Sequence, residues 1–115
     1  MKKYLLILCL PLLILACSND SPRTVAESFC KEIASGNFDK ARKYCTEDAE
    51  TILDLIIENA PEQLLNPEFK FTFEREELGE EEATIYYTNE KNQMRSINLI
   101  LVDGKWKAQP ISLHI

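Results

Sequence analysis

Two hydrophobic periods divide the chain. From Ser21 to Ala60 apolar positions recur every three or four residues; from Phe69 onward they alternate with polar ones. The first period predicts helices. Ser21-Pro22 opens the first, with serine as N-cap and proline at the first helical position, where its missing N–H costs nothing. Val25, Ala26, Phe29, Cys30 and Ile33 form its apolar face, and Gly36 ends it. Asn37 caps a short second helix in which Phe38, Ala41 and Tyr44 share a side. Thr46 caps a third, with Glu47 and Asp48 at its positive end. Ala49, Ile52, Leu53, Ile56, Ile57 and Ala60 make its wide apolar stripe. Pro61 and Pro67 bracket an exit loop with Leu64 and Leu65 turned inward.

The second period predicts strands. Phe69, Phe71 and Phe73 alternate with Lys70, Thr72 and Glu74, the pattern of a half-buried strand. Residues 76–82, around Gly79, read as an acidic connection. In residues 83–89, Ile85 and Tyr87 face inward and Thr84, Tyr86 and Thr88 outward. After a polar turn, residues 94–102 place Ile97, Leu99 and Leu101 inward, with Ser96 and Asn98 outward. Asp103-Gly104 is a two-residue hairpin signal. Residues 105–115 form the last strand, led by Trp106 and Ala108. Pro110 marks a bulge, after which Ile111, Leu113 and Ile115 take the inner face. Helices followed by an antiparallel meander predict an α+β fold: three N-terminal helices packed on a twisted four-stranded antiparallel sheet.

The first residues fit neither period. Lys2 and Lys3 precede the apolar run LLILCLPLLILA of residues 5–16. A bilayer of about 30 Å needs roughly 20 such residues, so the run reads as a signal peptide and not as a membrane helix. Pro11 and the lack of a polar face exclude a buried core helix. The run ends Ile14-Leu15-Ala16-Cys17, which resembles the lipobox of bacterial lipoproteins. The resemblance implies a signal peptide over residues 1–16, cleavage before Cys17, a diacylglyceryl thioether on Cys17, and acylation (palmitate) of the new N-terminus. Several acyl chains, at about 0.8 kcal/mol per buried methylene, anchor stably where one would not. Residues 18–21 are then a tether of about 15 Å at roughly 3.5 Å per residue. The domain of residues 22–115 is held close to the membrane. Ser18 favours the periplasmic side of the outer membrane in a Gram-negative envelope; in a Gram-positive one the anchor sits on the outer face of the plasma membrane.

Charge narrows the partners. The chain carries 13 Lys/Arg against 19 Asp/Glu, a net −6, and losing Lys2 and Lys3 with the leader takes it to −8. That argues against a nucleic-acid partner, which needs a basic footprint, and against a polybasic grip on anionic lipid. Of the four cysteines, Cys9 leaves with the leader and Cys17 carries lipid. Cys30 and Cys45 remain, in a compartment where disulfides persist. They read either as a bridge across the turn at Gly36 or as two buried free thiols. The bridge is the expectation, contributing about 3 kcal/mol. Two thiols and the distant His114 do not make a zinc set. The run Glu76, Glu77, Glu80, Glu81, Glu82 lacks the Asp/Asn alternation of a calcium loop. No nucleophile elbow, phosphate loop or HExxH is present, and no cofactor is implied.

The stretch SPRTVAESFCKEIASGNFDKARKYCTED resembles the opening of small bacterial lipoprotein domains with a cystatin-like, or nuclear-transport-factor-2-like, fold, many of them of unknown function. Gly36-Asn37-Phe38 and Lys40-Ala41 stand where those domains turn into their second helix, and VDGKWKAQPI is similar to their final hairpin. The resemblance covers residues 22–115. It implies a fold and an address more than a reaction. Enzymes on that fold, of ketosteroid-isomerase or dehydratase type, work in a cone between helices and sheet with a buried carboxylate or histidine base. Strand parity puts Ile85, Tyr87, Ile97, Leu99, Leu101, Trp106 and Ala108 on the inner face, none of them such a base. Asp54 and Glu58 lie on the polar side of the third helix. The expectation is a non-catalytic, lipid-anchored module that binds an envelope protein, a glycan or a small ligand; an enzyme using the helix–sheet pocket is the alternative. Lys70, Thr72, Thr84, Tyr86, Thr88, Ser96 and Asn98 would form the displayed sheet surface, and Trp106 and Tyr87 a pocket wall or core anchors.

Overall fold

The computed structural model describes residues 20–109. The Ser21 side chain accepts from the Thr24 amide at 3.2 Å, and Pro22 takes the first helical position of α1 (Pro22–Ser35). The helix stops at Gly36, whose φ of 84° is open to glycine at little cost; the Asn37 amide then donates back to the Glu32 carbonyl at 2.8 Å. A short α2 (Phe38–Arg42) follows. Thr46 caps α3 (Glu47–Asn59) by accepting from the Ala49 amide at 3.2 Å. A single 3-10 turn (Pro61–Gln63) leads out of it.

The four strands are β1 (Thr72–Leu78), β2 (Glu82–Thr88), β3 (Met94–Val102) and β4 (Lys105–Ala108), in the order β1-β2-β3-β4, all antiparallel. The protein is therefore α+β, three helices and a four-stranded antiparallel sheet. The tight turn at Asp103 (φ 52°) and Gly104 (φ 79°) joins β3 to β4. The outer edge of β4 is covered at its Ala108 end: the Ala108 amide donates to Tyr44 O at 2.7 Å, and the Thr46 amide donates to Ala108 O at 3.0 Å. Phe29, Cys30 and Ile33 of α1, Leu53 of α3, and Ile85, Tyr87, Ile97 and Leu99 of the sheet form one buried cluster.

Several expectations are corrected. The first strand begins at Thr72, not at Phe69, and runs on to Leu78 through residues read as an acidic connection. Its partner strand turns away at Asn89, so nothing is left for residues 69–71 to pair with. Phe71 instead stacks on the Tyr87 ring at 4.4 Å between centroids, and Phe69 meets it edge-on at 6.3 Å. The register of β1 slips between Phe73 and Arg75, a bulge at Glu74. Leu65 is 48% exposed and Leu101 37%, although both were expected inward; only Leu64 of the exit loop is buried. β4 ends at Ala108. The bulge expected at Pro110, the inward Ile111, Leu113 and Ile115, and His114 lie outside the described residues, as do the signal peptide of residues 1–16, Cys17 and residues 18 and 19 of the tether.

Candidate functional site

The outward sheet face carries the displayed surface largely as expected, but its groups are engaged with one another. The Thr84 hydroxyl donates to Asn98 Oδ1 at 3.0 Å, and the Thr88 hydroxyl donates to the Glu74 carboxylate, which the bulge brings onto that side. Tyr86 donates to Glu77 Oε1 at 3.3 Å, and the Arg75 guanidinium lies 3.8 Å over the Tyr86 ring. Arg75 also pairs with Glu77 at 2.7 Å. That hydrogen bond is the main reason the Glu77 carboxyl is held below the ordinary carboxylate range. Thr72 and Ser96 are exposed on the same side. Lys70 is exposed too, but lies ahead of β1 and not in the sheet. The tyrosine face that would stack on a sugar is thus covered by arginine.

Between α1 and the sheet the space is filled. Tyr87 is fully buried, and its hydroxyl accepts from the Cys30 thiol at 3.8 Å. Burial raises both groups' proton affinity: the Cys30 thiol is pushed up to about 12, and the Tyr87 phenol rises above its ordinary value. Tyr87 is a core residue here and lines none of the described depressions. The expected bridge between Cys30 and Cys45 is not formed: both are free, buried thiols. Cys45 Sγ points back to the Arg42 carbonyl at 3.7 Å while Cys30 points to the sheet, so helix phase aims the two thiols at different partners. Burial raises the Cys45 thiol to about 11.

Among the described residues no three His, Cys, Asp or Glu side chains are grouped to hold a metal ion, and no helix is long and apolar enough to cross a membrane. Asp54 is engaged by Arg42, whose Nε donates to it at 2.9 Å across from α2 to α3.

Surface depressions remain. One of about 510 Å³ lies along the acidic β1–β2 turn, lined by Glu77, Glu80, Glu81 and Glu82. Another of about 510 Å³ separates Asp48, Ala49 and Ile52 of α3 from Ala83 and Leu99 of the sheet. A third, of about 410 Å³, lies against Trp106 and is lined by Tyr44, Lys43, Lys105 and Lys107, with Val25 and Asp20 at α1. Trp106 is therefore a wall of a depression as well as a core contact. The flanking lysines were not singled out in the sequence, because Lys43 and Lys105 stand far apart along the chain. Compared with known proteins, the chain matches no family model, no curated protein and no solved structure.

Proposed function

We propose that this chain is a lipid-anchored protein of the bacterial envelope whose folded part, a cystatin-like or nuclear-transport-factor-2-like domain, is a non-catalytic binding module. The observation that carries the second half is the filling of the space between α1 and the sheet. Phe29, Cys30 and Ile33 close on Ile85, Tyr87 and Leu99, and the one phenol in that core accepts from a thiol. An isomerase or dehydratase on such a fold needs a hollow there, with a base opposite a hydroxyl. The first half rests on the leader and on Ile14-Leu15-Ala16-Cys17. The fold assignment rests on the order of elements and on the Gly36-Asn37-Phe38 turn.

Expression of the full chain with labelled palmitate tests the anchor. The wild type incorporates label and fractionates with membranes, while Cys17→Ser stays unlabelled as a precursor. Equal labelling of the variant sinks the anchor. Steroid-isomerase or dehydratase turnover that depends on Tyr87 would sink the non-catalytic reading.

A further inference from the structure

The depression at Trp106 collects cations in an acidic protein. Lys43 comes from the end of α2, and Lys105 and Lys107 from β4, in a chain of net charge −6. Among the described residues none of the three is in an ion pair. Like charges gathered on one side of a small domain repel, and of the three only Lys107 has a hydrogen bond that serves the packing. Their spacing is not left to flexible loops. The strip at residues 44–46 is joined to Ala108 by two main-chain hydrogen bonds, of 2.7 and 3.0 Å, so the two segments that supply the lysines and the rings are held together. Lys107 Nζ further donates to the Lys43 carbonyl at 2.6 Å, tying β4 to the end of α2.

Two half-buried aromatic rings, Tyr44 and Trp106, share the depression with these ammonium groups. A ring wall suits the apolar face of a sugar. Lysine ammonium groups act as point charges, and two of them match the roughly two negative charges of a phosphate monoester, where a carboxylate carries one. Asp20 at the rim offers an acceptor to a sugar hydroxyl. A volume of about 410 Å³ falls within the range of small-molecule sites.

We propose that this depression binds a phosphorylated sugar, with Lys43 and Lys105 on the phosphate, and Tyr44 and Trp106 against the ring. Lys107 positions Lys43. The proposal deepens the binding-module reading by naming a site and a ligand class, and it does not depend on the lipid.

Trp106 is the single tryptophan of the chain and reports on its own site. The full-length protein in phosphatidylcholine nanodiscs is titrated with glucose 6-phosphate, glucose and inorganic phosphate up to roughly 10 mM, with fluorescence read at each step. The expected result is a saturable change with glucose 6-phosphate, at least about tenfold weaker binding of glucose or phosphate alone, and weakening by salt. Lys43→Gln and Lys105→Gln each weaken binding about tenfold with unchanged circular dichroism, and Lys91→Gln, on the far turn, does not. A second set of nanodiscs containing phosphatidylinositol separates the sources: a fluorescence shift without free ligand identifies a lipid headgroup as the carrier of the same phosphorylated ring. No saturable change in either set, or binding that survives both lysine variants, overturns the site. Release of phosphate from the ligand would leave the site standing and overturn the non-catalytic reading.

Discussion

The Cys30 thiol donates to the Tyr87 hydroxyl at 3.8 Å, joining the middle of α1 to the inner face of β2 at a place where neither side chain meets water. The contact is a weak hydrogen bond, yet it takes up the phenol oxygen that burial would otherwise leave without a donor. Phe71 stacks on the face of the same ring.

Removing only the oxygen should therefore cost little. Tyr87→Phe keeps the ring and its stack and is expected to lose about 1 kcal/mol or less. Tyr87→Ala removes the ring as well and is expected to lose about 3–5 kcal/mol. Thermal unfolding separates the two, at roughly 4–8 °C per kcal/mol for a domain of this size. Equal losses would mean that the ring contributes nothing beyond its hydroxyl.

Alkali should unfold the domain through its thiols. Burial raises Cys30 from 9.0 to about 12 and Cys45 from 9.0 to about 11, so the folded state keeps both protonated where the unfolded chain has lost those protons. The stability they contribute is whole below pH 9 and is lost as pH rises through the folded values. The midpoint of thermal unfolding is expected to fall by about 5 °C or more between pH 8 and pH 10.5. Cys30→Ala should flatten that slope whatever it does to the midpoint at neutral pH. The same burial predicts that alkylating reagent adds to Cys30 and Cys45 only after denaturant, with no prior reduction needed.

Two glycines at positive φ should respond differently to alanine. At Gly36 a new Cβ lies 3.1 Å from Leu65 Cδ2, at the far end of a side chain that is half in water; at Gly104 it meets nothing within 4 Å. Both substitutions force a left-handed alanine at about 1–2 kcal/mol. Gly36→Ala adds the small cost of moving Leu65, and denaturation midpoints should place it below Gly104→Ala. The opposite order would show that the β3–β4 turn tolerates less than its open surroundings suggest.

Much of the architecture is legible in local chemistry. Ser21-Pro22, Gly36, Thr46 and Asp103-Gly104 mark ends and turns where side chains or positive φ act within a few residues, and all stand where they were expected. β3 runs over Met94–Val102 as its alternation predicts, because its neighbours on both sides fix its register. β1 was misplaced because a strand's extent depends on its partner's: β2 turns at Asn89, and the slip at Glu74 is a property of the pair. The phenylalanine alternation was real, but it serves the Tyr87 ring from a loop. The outward polar residues were identified, while their mutual hydrogen bonds were not. Nor was the lysine cluster, since its two segments meet only through tertiary contacts, the pairing of Cys45 with Ala108 and the bond from Lys107 to the Lys43 carbonyl.

The outward face yields a prediction of its own. Glu77 should titrate below the ordinary carboxylate range because Arg75 donates to it, and should return toward that range in Arg75→Gln. Side-chain carboxyl shifts followed by NMR against pH measure both. An unchanged Glu77 in the variant would mean that the Arg75 contact is absent in solution.

A sheet left with a bare rim can recruit a second chain and grow into a fibre, and here the two rims are handled differently. Beyond β4 the rim is occupied at Ala108 by Tyr44 to Thr46 of the same chain, and the exposed remainder is short and carries Lys105 and Lys107. Beyond β1 it is kinked at Glu74 and carries Glu76 and Glu77 close behind. Two copies meeting rim to rim would bring those carboxylates together across a row of donors and acceptors that is not straight. The domain can therefore be crowded on a surface without polymerising, and neutralising Glu74, Glu76 and Glu77 together should turn it into a protein that does.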